Sequence, residues 1–87
     1  MTEFKAVVED IRLQSRSGLE GVWQMSLDRT EFQRGDIGVL EAVTRTGTKL
    51  QIPVTEVVND EDGVVWHVVS KPLAAGTDVT GRVSERR

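Results

Sequence analysis

The chain of 87 residues contains no cysteine, no tyrosine, two prolines, one histidine and only four aromatic side chains. Without cysteine, neither disulfide bonds nor thiolate metal sites can stabilise so small a fold, and a lone His67 disfavours a histidine-based metal site. No apolar run approaches the roughly 20 residues that span a bilayer, and the opening MTEFKAVVED lacks the basic and apolar regions of a signal peptide. These absences predict a soluble, cytoplasmic protein with no metal and no cofactor.

The charge balance is mildly acidic, with 14 carboxylate side chains, 11 basic side chains and a formal net charge of −3. A general nucleic-acid coat normally carries a basic face, so this balance argues against that function. A length of 87 residues suffices for one domain with one modest core. We therefore expect a single domain over residues 1–87, with a frayed tail at residues 84–87.

Valine, isoleucine and threonine are abundant, and their spacing predicts short strands along the whole chain. Phe4–Leu13 is typical of a first strand, and its apolar positions change parity across Glu9–Asp10, which indicates a β-bulge. A polar turn is predicted at Gln14–Gly18. Apolar residues and glycine then alternate with polar ones through Leu19–Asp28, which predicts an amphipathic strand with Trp23 in the core.

The segment Leu50–Val69 consists of two β-branched runs that flank NDEDG, a pattern that predicts a hairpin with Gly63 at positive φ. Pro53 has no amide hydrogen, so the first run is expected at a sheet edge or a bulge. The second run, Gly63–Ser70, is apolar on both faces apart from His67. Such a strand either is covered on both sides or buries one face and shows the other to a partner.

The segment Ile37–Thr46 fits two templates equally well. Asp36 and Gly47 would cap a short helix, whereas the β-branched residues favour a strand that turns back as a hairpin. With a last strand at Thr77–Val83, the pattern predicts a mainly β fold, a small SH3-like or OB-like barrel or sandwich of five or six strands. The alternative is an α+β domain with two strands, a short helix near residues 36–46 and three strands.

Motifs that would indicate catalysis are absent from the sequence. His67 has no nucleophile or acid beside it in the chain, and we expect it on the less buried face of its strand. The spacing of Asp60–Asp62 differs from a calcium-binding EF-hand loop and indicates a solvated turn. Arg34–Asp36 indicates another turn, in a loop where Phe32 packs down onto the core. No glycine-rich phosphate loop is present, so we expect a protein without enzymatic activity.

Recognition of another protein, either a second copy or a different chain, is the function that these residues favour. An edge strand recruits a partner strand by main-chain pairing, and a tryptophan is a typical interface anchor. Whether Trp66 is such an anchor or fills the core stays open at this point. The candidate interface residues are Trp66, Val64, Val68, Arg34, Arg45 and Pro53.

The alternative function is that of a small barrel that binds nucleic acid. Such barrels stack single-stranded bases on exposed aromatic rings beside a basic groove. This chain has four aromatic residues, and at least two of them are needed for its core. Neither a membrane partner nor a small-molecule substrate is indicated.

The opening FKAVVEDIRLQSRSG, followed by VWQMSLDR, resembles the start of small phage and prophage accessory proteins. The resemblance lies in hydrophobic spacing over the first third of the chain. It implies a phage-encoded protein that binds a capsid, replication machinery or a host defence complex, inside the host cell or on the virion. The segment LDRTEFQRGD is similar to strand-and-turn openings of bacterial Ig-like modules, which would imply a sandwich on an extracellular or virion surface.

Overall fold

Seven strands form the fold in the computed structural model, which describes residues 2–17, 20–43 and 46–84. No helix occurs in these ranges, so the mainly β prediction is confirmed and the α+β alternative is not adopted. The strands are β1 (Thr2–Ser17), β2 (Glu20–Leu27), β3 (Ile37–Val43), β4 (Lys49–Val54), β5 (Glu56–Asn59), β6 (Val65–Val69) and β7 (Asp78–Ser84).

All neighbouring strands are antiparallel, in the order β4-β3-β7-β1-β2-β6-β5. The first sheet consists of β4, β3, β7 and the beginning of β1, Thr2–Val7. The second sheet consists of the rest of β1, Val8–Ser17, with β2, β6 and β5. Strand β1 therefore belongs to both sheets, and the whole arrangement curls around one core.

Strand β1 changes sheets at an irregularity between Val8 and Asp10, where its register with β2 shifts by one residue. This confirms the bulge predicted at Glu9–Asp10, since an extra residue bends a strand and increases its local twist. The predicted polar turn at Gln14–Gly18 is wrong over its first four residues. The strand continues to Ser17 through a second register shift between Leu13 and Ser15, and Gly18 lies outside the described residues.

The predicted Leu50–Val69 hairpin is only half present, because its first run divides at Thr55. Residues before Thr55 form β4 and pair with β3, whereas residues after it form β5 and pair with β6. Pro53 lies in β4 at the end of the strand order, which confirms the predicted edge position. The division accounts for seven strands where five or six were expected.

Strand β3 occupies the segment for which a helix and a strand were both considered. Leu40 and Ala42 are buried with the period of two that a strand gives, and β3 pairs with β4 as a hairpin. Gly38 lies so close to β7 that an added Cβ would come within 2.0 Å of the Arg82 carbonyl oxygen. At the end of the fold, β7 includes Ser84, so the predicted fraying is wrong at this residue, and the rest of the predicted tail, residues 85–87, lies outside the described residues.

Two phenylalanines complete the core by packing over glycines of the first sheet. Phe32, from the loop between β2 and β3, packs over Gly38, and Phe4 packs over its cross-strand partner Gly81. The two rings meet edge to face, with centroids 5.8 Å apart, and the His67 ring lies 5.2 Å beyond Phe32. The prediction that Phe32 packs into the core is confirmed.

Candidate interaction surface

The ends of β1 and β2 extend beyond the neighbouring strands as a two-stranded ribbon, which we define as Leu13–Ser17 and Glu20–Trp23. Strand β6 pairs with β2 only from Trp23 to Met25, and β7 pairs with β1 only up to Val7. Within the described residues, β1 from Asp10 onward therefore has a strand partner on one side only. We call the other side the β1 edge. Its main-chain groups are available to an added strand.

One face of the ribbon is apolar and continues the core outward. Leu13 and Trp23 are cross-strand partners, and both side chains lie over Gly21. Trp23 is half-buried against the core, whereas Leu13 is 46% exposed. The prediction that Trp23 belongs to the core is therefore met only in part. A partly covered tryptophan beside an exposed leucine is an apolar surface of the kind found at the centre of interfaces.

The opposite face of the second sheet is built around Trp66, which is only 6% exposed. The Arg12 guanidinium stacks on the Trp66 ring, with its carbon 4.0 Å from the ring centroid. A cation over an aromatic face is attracted by the ring quadrupole. Arg12 thus covers the tryptophan and is itself held in a fixed orientation.

A buried glutamine fixes Arg12 from a second direction. Gln24 lies opposite Arg12 on β2, is 8% exposed and accepts a hydrogen bond from Arg12 Nε. Its amide nitrogen donates in turn to Gln14 Oε1 at 3.0 Å. Within the described part of the chain Arg12 forms no salt bridge. Trp66 and Gln24 therefore fix the guanidinium, which acts on the nearby Asp60 carboxylate through its charge and not through a direct ion pair. Terminal guanidinium nitrogens suit bidentate recognition of an anionic group.

The predicted acidic turn organises the other side of Trp66. Asp60 Oδ2 accepts the indole N–H at 2.9 Å, and Oδ1 accepts the backbone N–H groups of Asp62 and Val64. The indole hydrogen bond, with smaller contributions from the backbone donors and Arg12, lowers the pKa of Asp60. Gly63 has a φ of 82°, as predicted. The carboxylate is thus committed to shaping the turn.

The six candidate interface residues lie in separate places. Trp66 and Val68 are buried on the face of the second sheet that lies opposite to the main core, and Val64 lies in the turn before them. Pro53 lies on the first sheet, and Arg34 lies in an exposed turn after β2. Arg45 lies outside the described residues. Strand β6 is buried on both faces, so of the two arrangements considered for it, the structure adopts the one that is covered on both sides.

His67 is fully buried, so its predicted position on the less buried face of the strand is wrong. Its Nδ1 lies 2.8 Å from the Met25 carbonyl oxygen and its Nε2 lies 2.8 Å from Thr30 Oγ1. A neutral ring that donates from Nδ1 and accepts at Nε2 satisfies both contacts. Thr30 Oγ1 also accepts the Phe32 N–H. The histidine therefore ties the Phe32 loop to the second sheet.

Stability should depend on pH through His67. Burial lowers the pKa of this imidazole, and the hydrogen bond to the Met25 carbonyl opposes the shift without cancelling it. The unfolded chain, with a histidine pKa of 6.5, therefore takes up a proton at a higher pH than the folded chain does. The free energy of unfolding should be highest above about pH 6.5 and should decrease as the pH falls from there toward the pKa of the folded state.

Urea unfolding at pH 7.5 and pH 5.5 measures this effect. His67→Gln provides the control because it removes the only histidine of the chain. We expect the variant to be less stable at pH 7.5 but to show a smaller decrease between the two pH values. An equal decrease in both proteins would mean that other groups cause the pH dependence.

An open cleft of about 410 Å³ lies on the outside of the first sheet, next to Lys5, Glu41 and Asp78. A hydrogen bond from Gln51 and the nearby positive charge of Arg82 lower the pKa of Glu41. Arg82 also pairs with Glu3 at 2.9 Å. Glu41, one of the charges at this cleft, is therefore compensated by its neighbours.

Within the described residues, no group of three or more histidine, aspartate or glutamate side chains is placed to hold a metal ion, and no helix is long and apolar enough to cross a membrane.

The ribbon and the role of Arg12 were not predicted from the sequence. The strand boundary at Leu13 hid the ribbon, because Gln14–Ser17 has the composition of a turn. The burial of Gln24 was also missed, since polar residues that alternate with apolar ones normally face solvent. The pairing of Arg12 with Gln24 becomes visible only once the register of β1 and β2 is known.

Comparison with known proteins identifies no relative: no protein-family model, curated protein or solved structure matches this chain.

Proposed function

We propose that this protein is a non-enzymatic protein-binding module and that the ribbon, with the β1 edge, is its contact surface. The observation that carries this proposal is the extension of the ribbon past β6 and β7, with Leu13 46% exposed and the β1 edge without a strand partner among the described residues. An isolated two-stranded ribbon is only marginally stable in water. A partner that covers the ribbon would stabilise it.

The ribbon offers the three contributions that strand-addition interfaces use. The β1 edge supplies main-chain donors and acceptors, which provide affinity. Leu13 and Trp23 supply apolar area on one face. Arg12 supplies a pre-oriented charge on the other face, and such charges select between partners. The Trp66 ring is buried, so its contribution is to hold the Arg12 guanidinium that stacks on it.

The two end strands of the order, β4 and β5, are less suitable. On β5 the Val57 carbonyl already accepts the Gly35 N–H at 3.2 Å. Strand β4 lies at the end of the order, and it contains Pro53, which cannot donate a ladder hydrogen bond. Strand β1 has no proline. Proline at an exposed edge is a common protection against unwanted strand pairing. The contrast with these two end strands supports β1 as the strand that binds.

The resemblance of the first third to phage and prophage accessory proteins agrees with a binding function, since it implies attachment to a host factor, a defence complex or a virion component. The nucleic-acid alternative has less support. Phe4, Phe32 and Trp66 are buried, and Trp23 is half-buried, so stacking platforms for bases are scarce.

Photo-crosslinking tests the proposal. A photoreactive residue replaces Leu13, and a matched protein carries it at Val43, which is 59% exposed on the other sheet. After irradiation in lysate of the organism that carries the gene, we expect a discrete protein adduct from position 13 and none from position 43. Excess wild-type protein should suppress the adduct, whereas excess Leu13→Arg protein should not.

Two outcomes would overturn the proposal. If position 13 gives no protein adduct, the ribbon is not a contact surface. If the adduct disappears on nuclease treatment and its yield falls steeply with salt, the ligand is a nucleic acid.

A further inference from the structure

We propose that the strand added to the β1 edge is the β1 edge of a second copy of this chain, which runs antiparallel to the first about a twofold axis at Ile11. In this arrangement Asp10 of each copy lies opposite Arg12 of the other. The inference rests on the proposed function, because it names the partner of the same edge. It is carried by the charge pattern of β1 and by the open main-chain edge beside it.

The regular part of the edge is short and well defined. Register shifts occur between Val8 and Asp10 and between Leu13 and Ser15, so Asp10–Leu13 is the uninterrupted stretch. Asp10 lies opposite Ser26 and Arg12 opposite Gln24, and these two β2 residues share a face. Asp10 and Arg12 therefore project from the same face of the sheet, two positions apart.

Charge selects the direction and the register of the pairing. A parallel arrangement in register places Asp10 beside its own copy and Arg12 beside its own copy, so like charges meet. An antiparallel arrangement with the axis at Arg12 also places two arginines opposite each other. With the axis at Ile11, both charge pairs are of opposite sign and side chains keep to their own faces. The stretch is self-complementary in this register.

Both charged groups change partners on pairing. Within one chain, Arg12 extends over β2 to Gln24 and the Trp66 ring and has no salt bridge among the described residues. In the dimer its guanidinium turns back toward the β1 edge. Asp10 Oδ1 accepts the backbone N–H of Ile11 at 2.9 Å. In the dimer a partner carbonyl replaces this carboxylate on the Ile11 amide, and Asp10 turns to the guanidinium of the partner's Arg12. The intrachain contacts of Asp10 and Arg12 are thereby exchanged for charge pairs and a main-chain hydrogen bond between copies.

Charge reversal tests the register directly. Asp10→Arg gives two arginines and Arg12→Asp gives two aspartates on this face, so each variant alone repels itself. We expect the wild-type protein to show twice the single-chain mass of 9.7 kDa with rising concentration in sedimentation equilibrium. Each single variant should dimerise at least about tenfold more weakly. An equimolar mixture of the two variants should form a heterodimer, and the double variant should dimerise again.

Matched controls carry the same charge changes on exposed turns away from β1. Arg34→Asp and Asp62→Arg should dimerise like the wild type. Because replacing Arg12 also removes the contact with Trp66, urea unfolding first establishes that each variant is folded, and disulfide formation gives a second measurement. Asp10→Cys and Arg12→Cys proteins, mixed under oxidation, should form a mixed disulfide, whereas Val43→Cys should not join either. The natural chain has no cysteine to interfere.

The outcomes separate this inference from the proposed function. A single-chain mass for the wild type up to about 1 mM, or dimers that persist in both charge-reversal variants, would overturn self-pairing. If position 13 then crosslinks to a different protein, the ribbon remains a binding surface and only the second copy is excluded. If position 13 crosslinks to no protein, the proposed function fails as well.

Discussion

Replacing Phe32 with alanine is expected to reduce the free energy of unfolding by about 3–5 kcal/mol, the usual cost of removing a buried phenylalanine. The ring is 2% exposed and packs against Phe4, His67 and the backbone of Gly38. Domains of this size are stable by only about 5–15 kcal/mol. The variant should therefore be close to unfolding at room temperature. Urea titration followed by far-ultraviolet circular dichroism measures the loss.

Glu31→Ala is the matched control for Phe32→Ala, because it lies in the same loop. Glu31 is exposed and its one described contact is a surface ion pair with Arg29 at 3.4 Å. Exposed pairs of this kind contribute little, so we expect a change of less than about 0.5 kcal/mol. If both variants lost the same small amount of stability, the Phe32 ring would not be part of the core.

Gly38→Ala is expected to cost about 3 kcal/mol, although it adds a single methyl group. The new Cβ would lie 2.0 Å from the Arg82 carbonyl oxygen and 2.8 Å from the Phe32 ring. A side chain can turn away, but the carbonyl belongs to the β3–β7 ladder. The two strands must separate to admit the methyl group. Chemical denaturation and amide hydrogen exchange in β3 and β7 measure the effect.

Gly81→Ala provides an informative contrast to Gly38→Ala. The nearest contacts of its added Cβ are all with the ring of Phe4, at 2.5 to 3.2 Å. A second substitution, Phe4→Leu, should therefore recover part of the stability lost in Gly81→Ala. The corresponding Phe32→Leu should recover nothing in Gly38→Ala, because the Arg82 carbonyl stays in place. Equal recovery in both pairs would show that the β3–β7 ladder yields easily at Gly38.

The strands could be predicted from the sequence where burial follows a simple period. Val79, Gly81 and Val83 are all buried on one face of β7, as their spacing predicts, and the bulge in β1 was visible as a change of parity. The division at Thr55 was missed, although the apolar alternation of β4 breaks at Glu56 and burial resumes out of phase at Val57. Which neighbour each half selects depends on contacts from distant parts of the chain.

The candidate surface was harder to predict than the fold. Trp66 was considered as an interface anchor or as part of the core. In the structure it is buried outside the main core, beneath Arg12. Arg12 and Gln24 are 12 residues apart, and only the register of β1 and β2 places them opposite each other. The deep burial of His67 likewise depends on Thr30 and Met25, which lie far away in the chain.

The position of β1 between β2 and β7 has a consequence for folding kinetics. The β1–β2 pairing is local, whereas the β1–β7 pairing joins Thr2 with Val83. Closing so long a loop costs entropy before any contact forms, so the local hairpin should assemble first and β7 last. Until β7 docks, Thr2–Val7 presents a second open edge. We therefore expect a slow phase in refolding, and an increased tendency to aggregate at high protein concentration during that phase.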